Sequence, residues 1–190
     1  MTEQAFKAAV RSAVRGLWSG TLSRSQFNSA MQSTLSRNLT TAWIEGATEC
    51  GITVEELTED ELKARDAFIK EQQSFVSNFG SDIREVDKLS KGKLTPLFER
   101  AEMWINRWND AKERAKSLAC GNQKMEWEVG PTEHCKDCAG YNGKVYRASV
   151  WGEIRPQSSC LACGGFRCQC RRRVTTRRAS KGQPSPMSKC

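Results

Sequence analysis

Residues 134–146 read HCKDCAGYNGKVY, and residues 160–170 read CLACGGFRCQC. Six of the chain's nine cysteines stand between Cys135 and Cys170, and their spacing decides how the C-terminal third folds. Cys135 and Cys138 form one C-x2-C pair, and Cys160 and Cys163 form a second. Two such pairs on opposed turns bring four thiolates to the corners of a tetrahedron, the geometry of structural zinc. Cys168 and Cys170 are also in reach, so six thiols compete for four places. Glycine follows each pair, at Gly140 and at Gly164-Gly165, which lets the backbone fold beneath an ion and turn its amides toward sulfur. His134 adjoins Cys135 and is an auxiliary candidate, with the expectation that it faces outward.

Around these cysteines the texture is that of a small β lobe. Met125, Trp127 and Val129 alternate with charged residues, which is strand periodicity, and Gly130-Pro131 ends the strand. Asn142-Gly143 stands between CAGY and KVYRASVW and predicts a hairpin turn. A lobe over 121–170 is too small to hold itself by apolar burial, whereas bound zinc contributes on the order of 10 kcal/mol to such lobes.

Upstream, residues 1–120 read as helix. Phe27, Met31, Leu35, Leu39 and Trp43 recur every four residues, with Ala30 and Ala42 beside them, and make one apolar stripe that Gly46 and Gly51 are expected to close. Thr58 and Glu61 have capping-box spacing, and Phe68, Phe75, Val76, Phe79, Ile83 and Val86 continue the helical period after them. Thr95-Pro96 predicts a helix start before Leu97, Ala101, Trp104, Ile105, Trp108, Ala111, Ala115 and Leu118. Phe6, Val10, Val14 and Leu17 make a shorter opening helix. The fold class expected is α+β: an N-terminal helical bundle or arm, a small zinc-stapled β-hairpin lobe, and a basic tail over 171–190.

Charge is concentrated at the end of that order. Residues 167–190 hold eight basic side chains and no acid, while residues 1–166 hold 22 of each sign and are neutral. The tail has no apolar period and is rich in Ser, Pro and Gly, which predicts a disordered arm. Such an arm commonly meets phosphate or an acidic surface, and Arg171, Arg172, Arg173, Arg177, Arg178 and Lys181 are the candidate nucleic-acid contacts.

Several function classes are disfavoured. No uncharged apolar run of about 18 residues occurs, so no membrane span is expected, and nothing at the start resembles a secretion signal. Thiols are then expected to stay reduced, which favours a metal over disulfides. A catalytic zinc normally carries His, Asp or Glu with a water, yet the chain has a single histidine. No phosphate-binding G-x-x-x-x-G-K-[ST] loop is present. The expectation is a non-enzyme.

The run from Trp127 to Arg173 resembles the C-terminal signature of the phage Mu F-like minor head proteins, also called head morphogenesis proteins, of tailed bacteriophages. The matching elements are Trp127, Thr132, Cys135, Cys138, Gly143-Lys144-Val145, Pro156, Cys163 and Cys168-Gln169-Cys170. The helical stretches GLWSGTLSRSQF (16–27) and LTTAWIEGATECGI (39–52) are similar to that family in the same order, so the likeness covers most of the chain. Many relatives carry histidine where this chain has Cys163, and a thiolate replaces imidazole on zinc. The resemblance implies Cys135, Cys138, Cys163 and Cys168 as the zinc ligands, with Cys160 and Cys170 as alternates. It also implies a structural minor capsid protein that associates with portal or major capsid protein in several copies and assists head assembly or DNA packaging and delivery. Nonspecific contact with packaged DNA would accompany this, and the location would be the host cytoplasm during assembly and then the virion head or portal region. The alternative is a free zinc-ribbon nucleic-acid-binding, regulatory protein.

Overall fold

The computed structural model describes residues 2–85, 91–131, 133–165 and 168–190. Val86, Thr132 and Arg167, which entered the sequence reading, lie outside the described residues. The elements are α1 (Glu3–Trp18), α2 (Arg24–Thr48), a 3-10 turn (Val54–Glu56), α3 (Glu59–Ser74), α4 (Val76–Arg84), α5 (Thr95–Ala119), β1 (Lys124–Glu128), α6 (Lys136–Tyr141), β2 (Val145–Arg147), α7 (Ala148–Trp151) and β3 (Arg171–Val174). The fold is α+β and mostly helical, with one antiparallel sheet in the order β2-β1-β3. No described helix is long and apolar enough to cross a membrane.

The chain divides into two compact units that cut across the boundary expected at residue 120. One comprises Met1–Thr41 with Asp66–Trp108, the other Ala42–Arg65 with Asn109–Cys190. The first unit follows from helical periodicity. Phe6, Val10, Val14 and Leu17 of α1 and Phe27, Met31, Leu35 and Leu39 of α2 are all buried, as the four-residue spacing requires. Phe79 meets Phe27 edge-on at 6.3 Å and Trp104 at 5.0 Å, while Phe6 meets Trp108 at 6.0 Å. The Trp104 indole donates to the carbonyl of Gln72 at 3.1 Å, which satisfies the polar end of a buried ring. The helical run expected over 68–86 is broken at Phe75, whose side chain is exposed between α3 and α4.

The second unit departs further from the sequence reading. The capping box holds: the Thr58 amide donates to Glu61 Oε2 at 2.7 Å and the Glu61 amide to Thr58 Oγ1 at 3.3 Å. Gly46, however, lies inside α2 rather than closing it. A β-carbon there would stand 2.4 Å from the Lys112 carbonyl oxygen, so the glycine permits a close approach to the last turns of α5. Beyond those turns, a disulfide joins Cys50 to Cys120 across a Cα separation of 5.0 Å.

Asn142-Gly143 does form a turn, but not the expected hairpin. CAGY belongs to α6, and the turn passes from that helix into β2. Asn142 sits at φ −52° and ψ 127° and Gly143 at φ 71°, while the Lys144 amide donates to the Tyr141 carbonyl at 2.8 Å. These are type II angles, unlike the primed turns that match the twist of paired strands. β2 pairs instead with β1, setting Met125 opposite Tyr146, and β3 closes the other side with Met125 opposite Val174. On the buried face Trp127, Tyr141, Tyr146 and Trp151 pack together, with ring separations of 4.9–5.7 Å between Trp127–Tyr141, Tyr146–Trp151 and Tyr141–Trp151. The Trp151 indole donates to the Met125 carbonyl at 3.0 Å.

The basic tail is ordered, which corrects the expectation of a disordered arm. Its first residues are strand β3. Arg172 is fully buried and pairs with Glu113 at 2.9 Å, and it also donates to the Glu113 carbonyl and the Ser117 hydroxyl, both at 2.7 Å. Lys116 bonds the same carboxylate at 3.1 Å and the Arg172 carbonyl at 2.9 Å. Farther on, the Ser180 amide donates to the Val145 carbonyl at 2.8 Å and the Tyr141 hydroxyl to the Ser185 carbonyl at 2.7 Å. Composition alone predicts disorder because it cannot see that an acidic side chain from α5 waits for Arg172.

Candidate metal centre

The five cysteines outside disulfides, Cys135, Cys138, Cys163, Cys168 and Cys170, gather at one end of the lobe. Their placement starts with α6. Cys135 stands in extended conformation just before the helix and Cys138 within its first turn, so one turn of helix carries two of the sulfurs to the same side. Cys163 comes from the turn-rich segment after α7. There Gly164 and Gly165 both have positive φ, and a β-carbon on Gly165 would stand 2.2 Å from the Gln157 carbonyl oxygen. Only glycine lets that turn close. Cys168 and Cys170 lead into β3, and the buried Gln157 amide fixes them by donating to the Cys168 carbonyl at 2.9 Å and the Cys170 carbonyl at 2.8 Å.

The sulfurs form two sets of three. In one, the sulfurs of Cys135, Cys138 and Cys163 lie within 4.8 Å of one another; in the other, those of Cys138, Cys168 and Cys170 do. Cys138 belongs to both, and its sulfur is 3.9 Å from that of Cys168. Four thiolates on one tetrahedral zinc stand about 3.8 Å apart, given zinc–sulfur bonds of about 2.3 Å. The spacing therefore suits metal binding, and these cysteine groups can hold a metal ion. His134 turns its Nδ1 to 3.9 Å from the Cys170 sulfur, so it faces the cluster rather than outward.

The electrostatics tell the same story about crowded sulfur. The thiols of Cys138 and Cys168 both point their hydrogen-bonding capacity at Cys170, and with the Gly130 amide and the Trp127 indole they pull it down to about 3 against the effect of burial. Cys138 is pushed far up, first by Cys168 and Cys170 and then by burial. Burial raises Cys163 to about 11, with the Cys135 and Cys168 sulfurs adding to it. At Cys168 the hydrogen bond with Cys138 lowers the thiol, but Cys170 and burial outweigh it and the net shift is upward. Burial would raise Cys135 too, yet the amides of Cys138 and Cys163 together hold it below its ordinary value. A donor set that cannot ionise as a group without a cation, and that already receives backbone amides, is the environment of a metal–thiolate site.

Of the expected ligands, Cys135, Cys138, Cys163 and Cys168 are in the cluster, and the alternate Cys170 joins them. The alternate Cys160 does not: a disulfide links it to Cys190, with the Cα atoms 5.1 Å apart and the Lys189 amide donating to the Cys160 carbonyl at 2.9 Å. The expectation that all thiols stay reduced is corrected with it, because the ordered tail carries Cys190 to Cys160. Asp137, inside the first C-x2-C pair, holds the segments around Ala162 and Ser188 together. It accepts from the Ala162 amide at 2.8 Å and the Ser188 amide at 3.1 Å, and also binds the Ser188 hydroxyl. Asp137 and Gln157 were not singled out from sequence. Asp137 carried a signal in its position between two ligands, whereas Gln157 carried none.

The expected nucleic-acid contacts divide. Arg172 is removed from the set by its burial against Glu113. Arg171 and Arg173 are exposed but share Glu128, at 2.9 Å and 3.3 Å, and Arg177 pairs with Glu126. Arg178 and Lys181 are exposed. Compared with known proteins, the chain matches no protein family, no curated protein and no solved structure.

Proposed function

We propose that the thiol cluster is a structural zinc centre and that the chain is a minor capsid, or head morphogenesis, protein of a tailed phage. In this reading it associates with the portal vertex or the capsid, in several copies per particle, and assists head assembly or DNA packaging and delivery. The observation that carries the reading is the meeting of Cys135, Cys138, Cys163 and Cys168, the four positions singled out by the likeness to F-like head proteins, around one shared sulfur. Sulfur-dominated donors select zinc over magnesium or calcium, and thiolates drawn from separate segments tie those segments together. Arg178 and Lys181 are the positions proposed to touch packaged DNA, without base selection.

The test is fractionation of infected cells. The chain is expected with portal or empty heads during assembly and then with mature particles, in the host cytoplasm first and the virion afterwards. Its absence from all of these particles overturns the assignment. Base-specific binding by the free chain would favour the regulatory nucleic-acid binder instead.

A further inference from the structure

We infer that the cluster holds two metal ions rather than one, with the Cys138 thiolate shared between them. This rests on the metal-centre reading above and deepens it. The first ion takes Cys135, Cys138 and Cys163. The second takes Cys138, Cys168 and Cys170.

Three observations point this way. Among the described residues no four sulfurs lie mutually within 4.8 Å; the grouping is three and three, with Cys138 in common. One tetrahedral ion needs four donors all about 3.8 Å apart, and no single set of sulfurs here supplies them. The second observation is Gln157. Its buried side-chain amide holds the carbonyls of Cys168 and Cys170 together, which fixes two donors of the second set. His134 stands at the edge of that set, its Nδ1 3.9 Å from the Cys170 sulfur, without joining the mutually close donors.

The third is charge. A single divalent ion among five thiolates leaves three negative charges uncompensated in a partly buried cluster, whereas two divalent ions leave one. Burying uncompensated charge is costly, and a bridging thiolate, which keeps donor electrons for both cations, reduces it. Cys135, Cys163 and Cys168 are partly exposed, so solvent can complete the coordination of each ion.

The experiment measures metal content of the full chain after zinc loading and exhaustive dialysis, followed by cadmium-113 NMR of the cadmium-substituted chain. Two ions per chain are expected, with two cadmium resonances split by each other through the shared sulfur. Cys170→Ser is expected to lower the content from two ions to one and to abolish the splitting while the first ion stays. One ion and one resonance in the unaltered chain overturn this inference and leave the single-centre reading standing. Two resonances with no mutual splitting overturn the sharing of Cys138. No retained ion overturns both readings. The measurement on the unaltered chain decides the matter even if a variant fails to fold.

Discussion

The two units solve the same problem with different chemistry. The helical unit of Met1–Thr41 and Asp66–Trp108 buries aliphatic and aromatic side chains, and among its described residues the buried polar ones are the uncharged Asn38 and Gln72. The other unit contains all nine cysteines and every buried charged side chain described: Asp110, Glu113, Lys116, Arg155 and Arg172. A long helix presents an apolar stripe that a neighbouring stripe covers, so it needs no special bonds. A sheet of three short strands offers too little apolar area, and disulfides, buried ion pairs and a cysteine cluster that can hold a metal ion join distant parts of the chain. Local pattern thus governs one unit and long-range partnership the other.

The sharpest way to break this contrast is Cys138→Ser, which removes the one sulfur common to both sets. Metal retention should collapse. The β lobe should lose stability on the order of 10 kcal/mol, the size of a structural zinc contribution, while the first unit keeps its helical circular dichroism. Loss of order in both units together would show that the contrast is false.

Next in size is the buried ion pair. Glu113→Ala leaves Arg172 and Lys116 without their shared carboxylate, and breaking a buried pair in this way costs about 3–5 kcal/mol. Denaturant titration should place the loss in the second unit. A loss below about 1 kcal/mol would mean that water already reaches Arg172.

The Cys160–Cys190 link should matter less. Replacing both with serine frees the chain end and should cost about 2–4 kcal/mol, with metal content unchanged because neither sulfur belongs to the cluster. Metal loss in that double variant would return Cys160 to the ligand set.

The smallest effect is titration of Glu49. Burial tends to raise its carboxyl, but hydrogen bonds from Lys112 and Lys116 outweigh this and hold it below the ordinary range. A depressed carboxyl stabilises the folded state above its unfolded value, and that contribution is lost as pH falls through the folded value. The second unit should therefore weaken below about pH 4, and Glu49→Gln should flatten the acid limb of its stability curve. An unchanged limb would mean that the lysines do not hold Glu49 in solution.

The same contrast explains what could be read from the sequence. The stripe from Phe27 to Trp43 was legible because its spacing is the helical period itself, and the Thr58–Glu61 box because both partners lie within one turn. Of the two C-x2-C pairs, Cys160–Cys163 is split by the disulfide at Cys160, but Cys135–Cys138 was legible as a pair within the cluster. Arg172 was not, since its partner Glu113 lies far upstream and reads as one more charge on a helix face. The disulfide of Cys160, an alternate ligand in the sequence reading, was not legible because its partner Cys190 sits in a tail whose composition argues for disorder. Asn142-Gly143 was read as a hairpin because the dipeptide signals a turn without saying which elements it joins. The grouping of sulfurs around Cys138 and the approach of His134 also lay beyond reach, because spacing gives proximity along the chain and not direction in space.

The most direct test is hydrogen exchange on the full chain before and after removal of metal by a strong chelator. Amides of β1, β2 and β3 should lose protection when the metal leaves, while those of α1 and α4 keep theirs. Equal protection of the strands with and without metal would contradict the account.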